Sequence, residues 1–427
     1  MIDINLIRNE TERVETALRK RMDEVDLSSI VSMDNRRREL IGAAEELKAR
    51  RNTVSADIPR LKKAGEDVGA LLAEMKEVSG SIKVMDGELR ELEQSIRQEL
   101  AVLPNLPDDD VPAGGKEANE ELRSWGEQPA FDFPARDHVE LVGMLGLVDY
   151  ERGVKMGGTG FWLYSGTGAR LEWALLNFFI DEHLADGYEF VLPPHILNYE
   201  CGFTAGQFPK FEEDVFQLRQ DDSSTGIQFI LPTAETALIN FHRDEILSEG
   251  ELPKKYFAYT PCYRKEAGSY RSQERGMIRG HQFNKVEMFQ FTRPEDSGAA
   301  IEELLGKAES LVQQLGLHYR VSKLAARDAS ASMAKTYDIE VWIPSMNEYK
   351  EVSSASNARD YQARRGNVRY RPEGQKRTEF IHSLNASGLA TSRLIPALVE
   401  QFQRDDGSVT LPDVLADRLG MKILPTV

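Results

Sequence analysis

Residues 260–287 read Thr260-Pro-Cys-Tyr-Arg-Lys-Glu-Ala-Gly-Ser-Tyr-Arg-Ser-Gln-Glu-Arg-Gly-Met-Ile-Arg-Gly-His-Gln-Phe-Asn-Lys-Val-Glu287. The ends are rich in aromatic and β-branched residues and the middle is polar with glycines, which predicts strand, long loop, strand. Arg264, Arg271, Arg275 and Arg279 crowd beside Glu266 and Glu287. A guanidinium fork suits bidentate contact with phosphate or carboxylate, and a preorganised set stabilises charge that develops in phosphoryl or nucleotidyl transfer. An exposed hairpin laced with surface ion pairs is the alternative that this stretch alone leaves open.

Outward from it, β-rich runs recur at Phe161–Tyr164, Phe190–Leu192, Gln228–Leu231, Tyr256–Thr260, Lys285–Phe291, Tyr319–Val321, Ile339–Ile343 and Glu348–Val352, beside amphipathic helices such as Gly168–Ala185. Strands follow one another without regular helical crossovers, which favours an α+β domain on an antiparallel sheet over a doubly wound one. No GxGxxG follows a strand and no GxxxxGK[S/T] is present, so neither a Rossmann nucleotide site nor a P-loop is expected.

The N-terminal quarter has a different rhythm. Leu40, Leu47, Val54 and Leu61 fall seven apart, and Leu71, Met75, Val78, Ile82, Met85, Leu89, Leu92 and Ile96 alternate steps of four and three. Between the runs, residues 62–69 carry two glycines suited to a reversal. The expectation is an antiparallel coiled-coil hairpin over about 34–101, with Pro59 kinking its first arm near the tip. From Asp34 to Lys63 nine cations face five acids. A projecting, locally positive rod suits a nucleic-acid backbone; an oligomerisation element or spacer is the other reading of a coiled coil. The order expected is an N-terminal domain over 1–103, a Pro-, Gly- and acid-rich linker over 104–136, and a second domain over 137–427.

The 427 residues, with 53 Lys and Arg against 70 Asp and Glu, carry a formal charge of −17. That excludes a general nucleic-acid coat, which needs a broad cationic excess, without excluding a local basic surface. The start MIDINLIRNETERVE has acids where a secretion signal needs a basic flank, and no run approaches the ~20 apolar residues of a membrane span. Cys201 and Cys262 are too few for a disulfide framework or a multi-cysteine zinc site. A cytoplasmic protein without zinc is expected.

Two later segments add chemistry. Glu348-Tyr-Lys-Glu-Val-Ser-Ser-Ala-Ser-Asn357 sets acids and hydroxyls on one strand, where Glu351 would share a face with Ser353, and Val352 with Ser354. Hard oxygen donors of this kind suit Mg²⁺ on phosphates. His382-Ser-Leu-Asn-Ala-Ser-Gly-Leu-Ala-Thr-Ser-Arg393 leads into a helix with Arg393 near its first turn, where free N–H groups favour anions.

Together these residues resemble the seryl-tRNA synthetases of bacterial type, which are class II aminoacyl-tRNA synthetases, over essentially the whole chain. The resemblance rests on the helical hairpin, Thr204–Asp214 (TAGQFPKFEED), Leu231–Thr236 (LPTAET) and three class II motifs in order. Motif 1 corresponds to the helix and strand ending at Pro193-Pro194, motif 2 to the arginine-rich hairpin, and motif 3 to Ser387 through the helix after Arg393. It implies a class II antiparallel catalytic domain flanked by helices, with the coiled-coil domain binding tRNA.

What the resemblance implies for individual positions is specific. Arg264 would contact both the α-phosphate of ATP and the serine carboxylate, Glu266 the adenine amino group, and Phe283 the adenine ring. Lys265, Arg279, Val352 and Ser353 complete the implied ATP site, with Glu351 and Ser354 holding Mg²⁺ and Arg393 the γ-phosphate. Thr233, Ala234 and Glu235 would surround the substrate amino group, and Glu287 and Ser387 its hydroxyl; Arg264, Glu287 and Arg393 are the implied catalytic set. Implied tRNA contacts are Arg36, Arg37, Lys48, Arg50, Arg51, Arg60, Lys62, Lys63 and, in the motif 2 loop, Arg271. Implied partners are L-serine, serine tRNA with its long variable arm, selenocysteine tRNA where present, and a second copy of the chain.

The chain departs from the family pattern at Arg271-Ser-Gln-Glu-Arg-Gly276, and Ala355 and Ala358 stand where cysteines are common. These departures put acceptor-stem contacts in doubt and leave room for a specialised duplicate, such as one resisting a serine-analogue antibiotic. A silent tRNA-binding paralogue conflicts with the intact Arg264, Glu266, Glu287, Glu351 and Arg393, and a carrier-protein ligase is expected to lack the helical arm.

Overall fold

The computed structural model describes residues 1–219, 226–266 and 276–427. The chain divides into two compact units, Ile2–Pro104 and Asn105–Val427, the second also taking Met1.

In the first unit, α1 (Ile4–Asn9) and α2 (Thr11–Arg19) precede two long helices, α3 (Ser28–Lys63) and α4 (Gly69–Val102). At 1.5 Å per residue each long helix runs roughly 50 Å. Leu47 and Val54 of α3 pack on Met75, Val78 and Ile82 of α4, the narrow seam that a/d spacing produces. α3 begins six residues before the expected start of the hairpin at Asp34. Its first turns draw burial from Ile30 and from Asp34, a fully buried carboxylate paired with Arg8 of α1 and, at 3.0 Å, Arg37. Pro59 sits inside α3, which continues through it to Lys63, so the expected kink does not end the helix.

The second unit is built on an eight-stranded sheet. In chain order its strands are β1 (Glu120–Trp125), β2 (Glu189–Phe190), β3 (Lys254–Tyr263), β4 (Gln282–Thr292), β5 (Tyr319–Lys323), β6 (Lys335–Ile343), β7 (Glu348–Arg359) and β8 (His382–Ala390). The spatial order is β1-β5-β6-β7-β8-β4-β3-β2, and every neighbouring pair is antiparallel except β3 with β2. The α+β class expected from the pattern of strands is therefore the class observed. Helices α5 (Thr167–Ala185), α6 (Ser297–Gln314) and α8 (Thr391–Gln401) contribute Leu175, Phe179, Leu304, Leu311, Leu394 and Leu398 to its main apolar core. A shorter helix, α7 (Tyr361–Gly366), follows β7.

The 104–136 stretch, expected as a linker, instead supplies the edge strand β1. All six of its residues are exposed, and backbone pairing with β5, the Arg123–Glu309 ion pair and Trp125 stacked on Tyr319 hold it, so no apolar alternation announces it. Asn105 anchors the start of the stretch by donating to the Ser332 and Ala358 carbonyls at 2.9 and 2.8 Å.

Candidate active site

The central antiparallel ladder sets the geometry. On β4, Phe283, Lys285 and Glu287 alternate onto one face, and Glu287 stands opposite Ala258 of β3 and Ser387 of β8. Phe283 pairs with Cys262, so Arg264 emerges just past the end of β3 and lays its guanidinium 5.3 Å from the Phe283 ring centroid. Arg264 is fixed by donation from Nε to the Pro232 carbonyl at 3.3 Å and from its backbone N–H to the His281 carbonyl at 2.9 Å. Glu266, at a left-handed φ of 51°, turns back to pair with Arg279.

These residues open onto one cavity that Glu351, Val352, Ser387 and Arg393 also line. Arg393, in the first turn of α8, donates to the Ile278 carbonyl at 3.2 Å and to the Glu351 carbonyl at 2.8 Å, and pairs with the Glu351 carboxylate at 3.3 Å. Burial raises the Glu351 carboxyl's affinity for a proton, but Arg393 and Arg264 more than offset this and hold its pKa below the usual range. Against β6 the register slips between Ile339 and Glu340, leaving Val352 as an extra residue on β7. The bulge defeats the expected alternation. Glu351 and Ser354 come together, the hydroxyl 3.2 Å from Glu351 Oε1 and 2.5 Å from Asp338 Oδ1. Ser353 turns the other way, fully buried, and donates to the Ser387 carbonyl at 2.6 Å. Burial, followed by the nearby Glu351 charge, pushes the Asp338 carboxyl well above its ordinary pKa.

A second pocket adjoins the first through Arg264, Glu266 and Arg279 and is lined by the expected Thr233; Ala234 and Glu235 follow Thr233 in the chain without lining it. Glu235 starts a short helix at 235–238, and the Ala234 methyl is buried in the apolar cluster beneath it. Gln362 donates to Glu235 at 2.7 Å and is itself oriented by Ser383, which donates to its Oε1 at 2.6 Å. Burial and then Glu287 raise the Glu235 pKa to about 7, against the opposing pull of the Gln362 hydrogen bond, Lys285 and Arg264. Lys285 pairs with Glu287 and donates to Thr233 Oγ1 at 2.8 Å.

The structure thus brings Arg264, Glu266, Arg279, Phe283, Lys285, Glu351, Val352, Ser387 and Arg393 around one cavity, with Thr233 and Glu287 joined to Lys285, Glu235 donating its backbone N–H to Thr233 Oγ1, and Ser354 next to Glu351. Lys265 turns its ammonium away, to the Glu213 carbonyl at 3.1 Å. Residues the sequence reading did not select are Lys285, Gln362 and Asp338. Lys285 carried a usable signal, since it lies two residues before Glu287 on the same strand face.

On the helical unit the expected cations divide. Arg36 and Lys48 pair across the hairpin with Glu88 and Asp86, both at 2.8 Å, Arg50 pairs with Glu74, and Arg60 pairs within α3 with Asp57. Arg37 is committed to buried Asp34, whereas Arg51, Lys62 and Lys63 make no ion pair among the described residues. Arg271 and the unusual loop preceding Gly276 lie outside the described residues.

Comparison with known proteins converges on one family. Residues 1–107 match the seryl-tRNA synthetase N-terminal domain, and residues 216–402 match the tRNA synthetase class II core domain (G, H, P, S and T). A protein named serine–tRNA ligase 2 from Clostridium acetobutylicum is 61% identical over 98% of this chain and 99% of its own length. The seryl-tRNA synthetase of Pyrococcus horikoshii, solved with ATP, superposes with a TM-score of 0.93 at 33% identity over the whole of both chains. The cytoplasmic serine–tRNA ligase of Naegleria fowleri, solved with AMP, gives 0.86 at 28% identity over 100% of this chain and 99% of its own.

Proposed function

The chain belongs to the seryl-tRNA synthetase family, and from that premise we propose that it activates L-serine with ATP, forming seryl-adenylate and pyrophosphate, and transfers serine to the 3′-terminal ribose of serine tRNA. The observation that carries the reading is the position of Arg264, stacked over Phe283 and shared by the nucleotide cavity and the pocket that Thr233 lines.

Activation joins two anions, a carboxylate attacking the α-phosphorus in line while pyrophosphate leaves. Arg264 can reach both, which supplies positioning and charge stabilisation together. Phe283 offers a face for adenine, and Glu266 an acceptor for its amino group once Arg279 releases it to a phosphate. Arg393 receives the γ-phosphate at the start of α8. The paired oxygens of Glu351 and Ser354 fit Mg²⁺, a hard cation that neutralises polyphosphate charge when bound. Glu235 meets the substrate ammonium, and Glu287 with Ser387 the hydroxyl. A pocket built around that hydroxyl rejects alanine by stranding its own polar atoms.

The second step requires the tRNA acceptor end to enter above the same cavity, with the helical hairpin gripping the elbow and long variable arm through backbone and shape. Selenocysteine tRNA, where present, would be charged by the same route. A homodimer through the motif 1 region accords with exposed Trp173, Leu184, Leu192 and Ile196 along that segment. Cytoplasmic residence suits the reaction, and no helix among the described residues is long and apolar enough to cross a membrane. The test is serine-dependent ATP–pyrophosphate exchange followed by charging of total tRNA. Absence of exchange with serine, or preference for another amino acid, overturns the reading.

A further inference from the structure

A buried ammonium to which the chemistry above assigns no role lines the cavity beside Arg264, Phe283 and Ser387 and reaches Thr233 and Glu287. Lys285 is only 6% exposed, and its neighbours Glu287 and Thr233 are 2% and 5% exposed. Its Nζ pairs with Glu287 Oε2 and donates to Thr233 Oγ1 at 2.8 Å, while the Thr233 hydroxyl lies 3.5 Å from the same carboxylate oxygen. The lysine stem rises from β4 between Thr260 of β3 and Ala390 of β8, so the sheet register holds the ammonium in place.

A buried carboxylate without a partner is strongly disfavoured, and a bare one attracts cations in preference to neutral hydroxyls. Building on the proposed serine activation, we infer that Lys285 is the positioning residue that makes this pocket specific for a neutral hydroxyl. By pairing with one oxygen of Glu287 it cancels the carboxylate charge, fixes the rotamer and leaves the other oxygen to accept from the substrate hydroxyl. The same ammonium orients Thr233, tying the hydroxyl end of the pocket to the amino-group end.

The inference separates Lys285 from a merely structural lysine. Loss of its charge should hurt serine far more than ATP, and should shift preference towards 2,3-diaminopropionate, which carries an ammonium where serine has its hydroxyl. The experiment uses the full chain in ATP–pyrophosphate exchange with Lys285→Met, Lys285→Gln, Glu287→Gln and the Lys285→Met/Glu287→Gln pair. We expect Lys285→Met to raise the serine KM at least about tenfold while the ATP KM stays within about threefold. Lys285→Gln, which keeps a donor for Thr233, should fall between. Diaminopropionate should compete more strongly, relative to serine, in Lys285→Met than in the unsubstituted chain. The double variant should be no worse than Glu287→Gln alone, because the two act as a unit.

A serine KM within about twofold of the unsubstituted value, losses that multiply in the double variant, or equal loss of serine and ATP binding each overturn the inference. Should Lys285→Met fail to fold, Lys285→Gln and the double variant decide by the same criteria. If the unsubstituted chain shows no serine-dependent exchange, it is the proposed function that fails.

Discussion

The Ser354 hydroxyl lies 3.2 Å from the Glu351 carboxylate although the two residues are three positions apart on one strand. In a regular strand, residues three apart face opposite sides, so the contact depends on the extra residue at Val352. The bulge converts alternation into convergence and brings two oxygen donors together, with Asp338 accepting from the hydroxyl at 2.5 Å.

If these two side chains hold Mg²⁺, removing one should change the concentration at which the cation works more than it changes the fold. Ser354→Ala is expected to raise the half-saturating Mg²⁺ concentration for pyrophosphate exchange about tenfold, a magnitude typical of altered metal surroundings. Glu351→Gln should raise it further, since it also frees Arg393 from its 3.3 Å partner. The measurement is a Mg²⁺ titration at fixed ATP and serine. An unchanged midpoint in both variants removes these residues from the cation site.

Glu235 makes a prediction about pH. Its pKa of about 7 means that the free site is protonated and neutral in acid, and a neutral carboxyl cannot pair with the substrate ammonium. Serine affinity should therefore level off above pH 7 until the substrate ammonium itself loses its proton, and fall up to about tenfold per unit below pH 7, with binding there releasing a proton. Titration calorimetry in buffers of different ionisation enthalpy reads that proton directly. For stability the sign is opposite. A carboxyl whose folded pKa is raised favours the folded state in acid, and that contribution disappears as pH rises from the unfolded value through 7. Glu235→Gln should bind serine weakly and without this pH dependence, and its melting temperature should gain on the unsubstituted protein at pH 8 relative to pH 4.

Two glycines in helices predict opposite stability changes for the same substitution. A Cβ on Gly168, in the first turn of α5, would meet the Leu147 carbonyl oxygen at 1.9 Å, whereas one on Gly42, inside α3, meets nothing within 4 Å. Gly168→Ala should destabilise by about 1–3 kcal/mol through overpacking, and Gly42→Ala should stabilise by about 0.5–1 kcal/mol through helix propensity. Thermal unfolding distinguishes the two; equal effects would contradict the packing around Leu147.

The contrast between legible and hidden features has a physical cause. The arginine-rich strand pair and the hairpin seam are visible because aromatic and β-branched runs or repeating Leu, Met and Ile mark surfaces that must be buried. β1 is invisible, since six exposed residues from Glu120 to Trp125 owe their place to backbone pairing and to contacts with distant residues such as Glu309 and Tyr319. The bulge is equally hidden, because Val352 looks like any strand valine until β6 lies beside it. Gln362 reaches Glu235 from 127 positions away, a relationship that only the tertiary fold creates.

The hairpin supplies the last prediction because its cations have unequal commitments. Arg36, Lys48 and Arg50 bridge to acids of α4, so their charge is already neutralised locally, and each exposed pair contributes only about 0–1 kcal/mol to the hairpin. Arg51, Lys62 and Lys63 have no such partner among the described residues; Lys62 and Lys63 end α3 at the tip, and Arg51 lies beside Arg50. A phosphate contact releases condensed counterions, so each one lost should lower the slope of log affinity against log salt by about 0.7–0.9. Alanine at Arg51, Lys62 and Lys63 together should flatten the salt dependence of serine tRNA binding and weaken it at low salt. It should leave serine-dependent pyrophosphate exchange intact, because that reaction does not use tRNA. Alanine at Arg36, Lys48 and Arg50 should alter thermal unfolding slightly and the salt slope less. Filter binding over a salt series reads both sets, and a greater loss of slope in the bridged set would assign the phosphate contacts to the cations that bridge to α4 rather than to Arg51, Lys62 and Lys63.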